Sequence, residues 1–291
     1  MSGAQRLPVK KTYKLFVGGA FPRSESGRTY PVLAKDGSVV AQAPLGSRKD
    51  LRDAVRAARS IQPKWAGSTA YLRGQVLYRV AEMMEGRAAQ LCDELENVGL
   101  SAKAAKAEVA AAVDRVVWYA GWADKIAQVV GTANPVAGPY FDFTIPEPVG
   151  VVGVVAPDEP ALLGLISLVM PPVCAGNAVI AIASEPNPLV AITLGEIIAT
   201  SDLPGGVVNI LSGSRTELGP HLASHGDVDT IDVTGAPHDL AVEMEQLAAD
   251  DVKRVIRPLG VNPRWRGDHG ESPWAVTASM ELKTVWHPKG T

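Results

Sequence analysis

The run Val149-Gly150-Val151-Val152-Gly153-Val154-Val155-Ala156 decides the fold. It is apolar at every position, without the polar alternation of a half-exposed strand, so it reads as a strand buried on both faces. The pattern then repeats. Ala161–Ala175 has helical spacing, Ala178–Ala183 is a second apolar strand and Leu189–Thr200 a second helix. Val207–Leu211, Val228–Val233 and Val252–Ile256 are further strands, separated by helices near Thr216–Ser224 and His238–Ala249. Buried strands alternating with amphipathic helices predict a parallel sheet covered on both sides. Right-handed crossovers make it an α/β, doubly wound, Rossmann-like sheet. Ligands in such sheets sit beyond the carboxyl ends of the strands. Here those ends are Ala156-Pro157-Asp158-Glu159, Ala183-Ser184-Glu185, Leu211-Ser212-Gly213 and Val233-Thr234-Gly235.

Working outward, Arg48 to about Val130 reads as helices. Leu51, Ala54, Val55, Ala58 and Ile61 share one face, as do Leu72, Val76, Leu77, Val80 and Met84. Tyr13–Val40 is Gly-rich and strand-like, with turns at Gly18-Gly19 and Asp36-Gly37. Pro263–Pro273 is polar and reads as a loop. Trp274–His287 carries a strand-like run whose apolar members are Leu282, Val285 and Trp286, and it needs a sheet edge, which another chain could supply.

Bulk properties exclude several classes. The formal net charge of −3, with both signs interspersed, argues against nucleic acid or an anionic membrane as partner. Two cysteines, Cys92 and Cys174, make no disulfide framework and suit a reduced, cytoplasmic setting. Met1–Lys14 shows no apolar core, so no secretory leader is expected. Ala161–Ala175 is too short for a membrane span. His221, His225, His238, His269 and His287 have no metal-ligand spacing with the cysteines, so no metal site is expected.

Several stretches together resemble the NAD(P)-dependent aldehyde dehydrogenases: Leu15-Phe16-Val17-Gly18-Gly19, Trp118-Tyr119-Ala120-Gly121-Trp122-Ala123, Pro148–Val155, Ala175-Gly176-Asn177, Pro204–Gly213 and Ala248–Val255. Glu281–Trp286 is similar to the family's extreme C-terminus. The resemblance implies a dinucleotide-binding-type domain over 1–137 and 151–262. It implies an oligomerisation hairpin and C-terminal strand over 138–150 and 274–291, with 263–273 in place of the family's catalytic domain.

The resemblance also implies what is missing. The family's nucleophilic cysteine has no counterpart. Its oxyanion-donating asparagine is matched by Glu159, whose carboxylate only accepts hydrogen bonds. Its general-base glutamate is matched by Pro258, which carries no titratable group. Of the cofactor-binding positions, Glu185, Gly213, Gly219 and Gly235 remain as vestiges, while Ile182 replaces a lysine and Ala236 a serine. The expectation is no cofactor, or weak NAD(P). The family's subunit contacts are matched by Tyr140, Phe141, Phe143 and Ile145 and by Leu282, Val285 and Trp286. The implied role is a pseudoenzyme that assembles with a full-length aldehyde dehydrogenase subunit or as a homo-oligomer. Two alternatives stand beside it: an NAD(P)-dependent aldehyde oxidoreductase of reduced activity, using Asp158 and Glu159, and a dinucleotide-sensing module.

Overall fold

A computed structural model describes residues 11–258 and 265–290. A hairpin, β1 (Thr29–Leu33) and β2 (Val39–Pro44), leads into four helices, α1 (Arg48–Ala66), α2 (Ala70–Gly86), α3 (Ala88–Asn97) and α4 (Ala102–Ala120), and a short α5 (Ile126–Val130). Ser47 and Asp50 start α1 with reciprocal side-chain-to-backbone bonds, a capping box, and Leu51, Ala54, Val55 and Ala58 form its buried stripe. Next come β3 (Thr132–Asn134) and β4 (Tyr140–Pro148).

The predicted alternation follows: β5 (Val151–Val155), α6 (Ala161–Ala175), β6 (Ala178–Ile182), α7 (Leu189–Ile198), β7 (Val208–Leu211), α8 (Arg215–Ala223), β8 (Thr230–Asp232), α9 (His238–Ala249) and β9 (Arg254–Ile256). All four pairings are parallel, and the strand order is β7-β6-β5-β8-β9. The direction of winding therefore reverses beside β5, which makes the carboxyl end of β5 the topological switch point. Strand alternation divides the interior. Val152, Val154, Val179 and Ala181 face α6, while Val151, Val155, Ile180 and Ile182 pack with α1, α8 and α9.

Near the end of the chain, the stretch from Trp274 to His287 contains the expected strand, preceded by a short helix. Ser272 caps α10 (Pro273–Thr277), whose proline sits in the first turn, where its missing N–H costs nothing. Within the expected 263–273 loop, Gly267–Gly270 forms a 3₁₀ turn, and residues 263–264 lie outside the described residues. The terminal strand β10 (Met280–Pro288) also finds an edge within its own chain. It pairs antiparallel with β4 over its full length, giving a second sheet ordered β10-β4-β3.

The connection between β9 and β10 is anchored by a buried cation. Arg115, on the inward face of α4, donates to Ser167 Oγ (2.7 Å) and to the carbonyls of Trp265 (3.0 Å) and Gly267 (3.2 Å). Its Nε lies 3.8 Å from Glu271, and Tyr119 Oη donates to the Gly270 carbonyl at 2.8 Å. A guanidinium removed from water needs such a set of acceptors. Replacing it by Arg115→Ala leaves those acceptors unanswered and is expected to lower unfolding stability by about 3 kcal/mol. In limited proteolysis, tryptic cleavage at Arg266 should accelerate. An unchanged urea midpoint would remove this anchoring role.

Candidate functional site

The four strand-end loops converge as topology requires, and the protein's own side chains bond across part of the space between them. Arg215, the first residue of α8, is buried and reaches back across the sheet edge to the loop after β5. Its Nη2 donates to Asp158 Oδ2 at 2.5 Å and its Nη1 to the Ala156 carbonyl at 3.4 Å. Asp158 also accepts from Ser184 Oγ at 3.1 Å. The Asp158–Glu159 pair expected from sequence is therefore not a free carboxylate pair. Asp158 is bonded internally although its side chain is 40% exposed, and Glu159 is exposed.

Helix N-termini tell the same story. The first N–H groups of a helix have no partner inside it and carry partial positive charge, so they attract anions. At α8, the Arg215 N–H is taken by Glu185 Oε2 at 3.2 Å. At α6, whose preceding Pro160 offers no side-chain cap, the Leu162 and Leu163 N–H groups donate to Glu108 Oε1 at 2.8 and 3.3 Å. Glu108 is buried, and desolvation raises its pKa although both N–H bonds oppose the shift. At α9, Pro237 stands at the cap with no side-chain bond.

The three retained glycines serve close packing. A Cβ on Gly219 would lie 3.1 Å from Met244 Sδ and 3.2 Å from Leu240 Cδ1, so this glycine seats α8 on α9. A Cβ on Gly235 would strike the Val155 carbonyl at 2.3 Å, and one on Gly213, at φ +136°, would meet Gly46 N at 3.0 Å. Glu185 remains near the mouth. Its carbonyl accepts from Tyr30 Oη at 3.1 Å, and burial and Glu185 raise the Tyr30 pKa. Beside it opens a cavity of about 1020 Å³ lined by Tyr30, Lys35, Ser101, Glu159, Glu185 and Arg215 among others.

Neither cysteine meets this edge as a nucleophile. Cys174 lies inside α6, fully buried, and desolvation pushes its thiol up to about 12. Cys92, in α3, is also raised, by partial burial and then by Glu96 and Asp93. Pro258 is half-buried just beyond β9, whereas Leu259-Gly260-Val261 lie outside the described residues. Among the described residues, no group of three or more His, Cys, Asp or Glu side chains could hold a metal. Among them, too, no helix is long and apolar enough to cross a membrane.

Sequence reasoning missed three charged groups here: Glu108, Arg115 and Asp232. The signal was available for each. Glu108 and Arg115 fall on the apolar stripe of α4 with Val109, Ala112 and Val116, and Asp232 interrupts an apolar strand. The positions expected to make subunit contacts lie together on the small sheet, where Trp286 stacks edge-on against Tyr140 (5.7 Å) and Phe141 lies beside Phe143 (5.2 Å).

This geometry defines a doubly wound α/β protein of the dinucleotide-binding class whose ligand edge is internally satisfied. The comparisons give its relationship: the sequence profile described as "Aldehyde dehydrogenase family" matches residues 21–265, and the chain belongs to that family. It is 34% identical to retinal dehydrogenase 2 of Gallus gallus over 95% of this chain and 52% of that one. It is 33% identical to cytosolic 10-formyltetrahydrofolate dehydrogenase of Mus musculus over 96% of this chain and 30% of that one. Among solved structures, HpcC from Thermus thermophilus superposes with a TM-score of 0.82 at 29% identity, over 86% of this chain and 48% of that one. An NAD+ complex of an aldehyde dehydrogenase from Bacillus cereus gives 0.80 at 25%, over 86% and 51%. The chain thus spans about half the length of most of these relatives, and less of the folate enzyme.

Asp232 supplies a pH-dependent test. It ends β8 on the α6 side of the sheet and accepts from the Thr234 N–H at 2.9 Å, and burial pushes its carboxyl up to about 6 from the ordinary 3.8. A raised carboxyl pKa means that the folded state holds the proton more tightly than the unfolded one. Stability from this group is full below about pH 4 and falls as pH rises toward 6. The deficit above that window is on the order of 3 kcal/mol. Asp232→Asn keeps the acceptor and removes the charge. It should stabilise the fold at pH 8 and leave stability at pH 4 little changed, as read by urea denaturation at both values.

Proposed function

We propose that this chain is a non-catalytic member of the aldehyde dehydrogenase family, a pseudoenzyme retained for assembly. One observation carries the reading: the positions that match the family's amide donor and general base hold Glu159 and Pro258, and no thiol able to act as nucleophile accompanies them among the described residues. An ionised carboxylate at the donor position repels a developing oxyanion, and proline cannot move a proton. Loss of any one of these roles costs orders of magnitude in rate. The segment between β9 and β10, tied down by Arg115, takes the place of the family's catalytic domain.

The cofactor position supports the same reading. The resemblance puts the pyrophosphate at the N-terminus of α9, where Pro237 offers no N–H, and the neighbouring start of α8 already holds the Glu185 carboxylate. Ile182 offers the ribose no charged donor, and Ala236 offers the phosphates no hydroxyl. These residues fit a dinucleotide poorly, so NAD(P) binding is weak or absent and no redox step is assigned to the chain. Asp158, held by Arg215 and Ser184, does not form an acid–base pair with Glu159 in a residual enzyme.

What remains suited to a partner is the β10-β4-β3 sheet. Phe141, Ile145 and Val285 are 47%, 39% and 38% exposed on one face, and Leu282 and Trp286 are 56% and 60% exposed on the other, apolar surface that favours contact with another subunit. The partner is a full-length aldehyde dehydrogenase subunit or a second copy.

Two measurements test the proposal. The purified chain, given NAD or NADP and a panel of aldehydes, should reduce no cofactor above background, and robust turnover would end the pseudoenzyme reading. Light scattering with and without a full-length relative should show a mass above that of one chain in at least one condition. A lone monomer in both would remove the assembly role. Calorimetry adds a third arm. The unsubstituted chain should give no heat with millimolar NAD or NADP, and micromolar binding would overturn the cofactor reading.

A further inference from the structure

Among the described residues, β10 is an edge strand, paired with β4 on one side only. The phase of its ladder can be read at both ends. Val149 N–H donates to the Ser279 carbonyl at 3.2 Å, and Lys289 N–H to the Pro139 carbonyl at 2.7 Å. The register holds between them without a bulge, so the odd-numbered residues of β10 bond to β4. The even-numbered residues Leu282, Thr284 and Trp286 therefore turn their N–H and C=O groups toward the open side. Pro146 and Pro148 agree with that phase. They oppose Leu282 and Met280, where β4 is not asked to donate to β10.

Met280 already gives its carbonyl to Arg254 and Pro288 has no N–H, so the free part of this nine-residue edge runs from Leu282 to Trp286, and it is a template for a further strand. Its charged side chains do little to block one, because Lys283 is paired with Glu147 and Glu281 with Arg254. Lying on the assembly sheet of the proposed function, and resting on that reading, the edge is also self-complementary in sequence. We propose that β10 pairs antiparallel with β10 of a second copy, about a two-fold axis through Thr284. Thr284 is the midpoint of Met280–Pro288, so this register alone overlaps the strand completely. It sets Glu281 opposite His287, Leu282 opposite Trp286 and Lys283 opposite Val285, each twice by symmetry, with Thr284 facing itself. Moving the axis to Lys283 places two ammonium groups face to face. Moving it to Val285 sets Lys283 against His287 and leaves Met280 and Glu281 without strand partners. The preferred register yields one six-stranded sheet. Phe141, Phe143, Ile145 and Val285 of both copies then line one continuous apolar face.

The test uses the intact chain. Light scattering across a dilution series should give twice the chain mass at high concentration. Thr284→Pro removes an N–H that points away from β4, so its circular dichroism should stay native while its dimer dissociation constant rises at least about tenfold. Thr284→Cys should form a disulfide-linked dimer on oxidation. Glu281→Cys should not cross-link to itself but should cross-link when mixed with His287→Cys. A chain that is monomeric at every concentration overturns the self-pairing. If that monomer gains mass with a full-length relative, the assembly role stands without it. A dimer that Thr284→Pro leaves intact and Thr284→Cys does not cross-link also overturns this register, while keeping the assembly role.

Discussion

The fold is organised around a charge problem at one edge of its sheet. Parallel strands and right-handed crossovers bring helix N-termini to the carboxyl side, where unpaired N–H groups meet with partial positive charge. In a ligand-binding protein of this architecture, an anionic ligand can answer that charge. In this chain carboxylates of its own do so: Glu185 at α8 and Glu108 at α6. The arrangement reaches further than the caps. Arg215 offsets the acids gathered at the mouth and is held by Asp158, which Ser184 also bonds. Removing one member of such a buried polar set leaves the others unsatisfied, so a ligand entering here would have to displace interactions that already hold the loops together.

Much of the fold was legible because its information is local. The run from Val149 to Ala156 and its later repeats have both the length and the continuous apolar character that only a doubly covered strand needs, and α1 announces itself through Ser47, Asp50 and its stripe. The cleft was legible in part. Glu159 and Pro258 were identified by chemistry that no folding can alter: a carboxylate has no proton to donate at neutral pH, and proline has none to exchange. The capture of Asp158 by Arg215 was hidden. It spans β5 to α8, and nothing in the spacing of either loop predicts which way a long arginine side chain will turn. Glu108 and Arg115 were masked by habit of reading, since charged residues on a helix are usually assigned to its wet face. Their positions between Val109, Ala112 and Val116 marked them as buried.

The end of the chain shows how local pattern and tertiary pairing trade places. Trp274–His287 reads as holding one strand-like run, but Ser272 followed by Pro273 is a helix start, and it makes the first part α10. The strand begins only at Met280, where Arg254 of β9 donates to the Met280 and Ala278 carbonyls and to the Glu281 carboxylate. That single side chain couples the edge of the large sheet to the start of the small one. The small sheet's geometry therefore depends on the large sheet being closed properly at β9, and the segment from Trp265 to Glu271 has to be held in place for the two to meet.

Holding that segment is the more demanding requirement. The segment from Trp265 to Glu271 lies over α4 and α6, with Trp265 packed against the core, while Gly267 and Gly270 bring little apolar bulk. The chain adds polar bonds to that apolar contact. One guanidinium collects two loop carbonyls and a loop carboxylate, and one phenol collects a third carbonyl. Such bonds contribute modestly when formed and cost much more when broken from one side. The closure is therefore specific rather than adaptable. It accepts this loop conformation, places α10 against α6, and delivers β10 to β4 in a single register. A loosely packed loop would let β10 slip, and a slip of one residue would turn each of its side chains to the opposite face of the small sheet. The integrity of the proposed contact surface thus traces back to Arg115 and Tyr119, two residues that lie far from it.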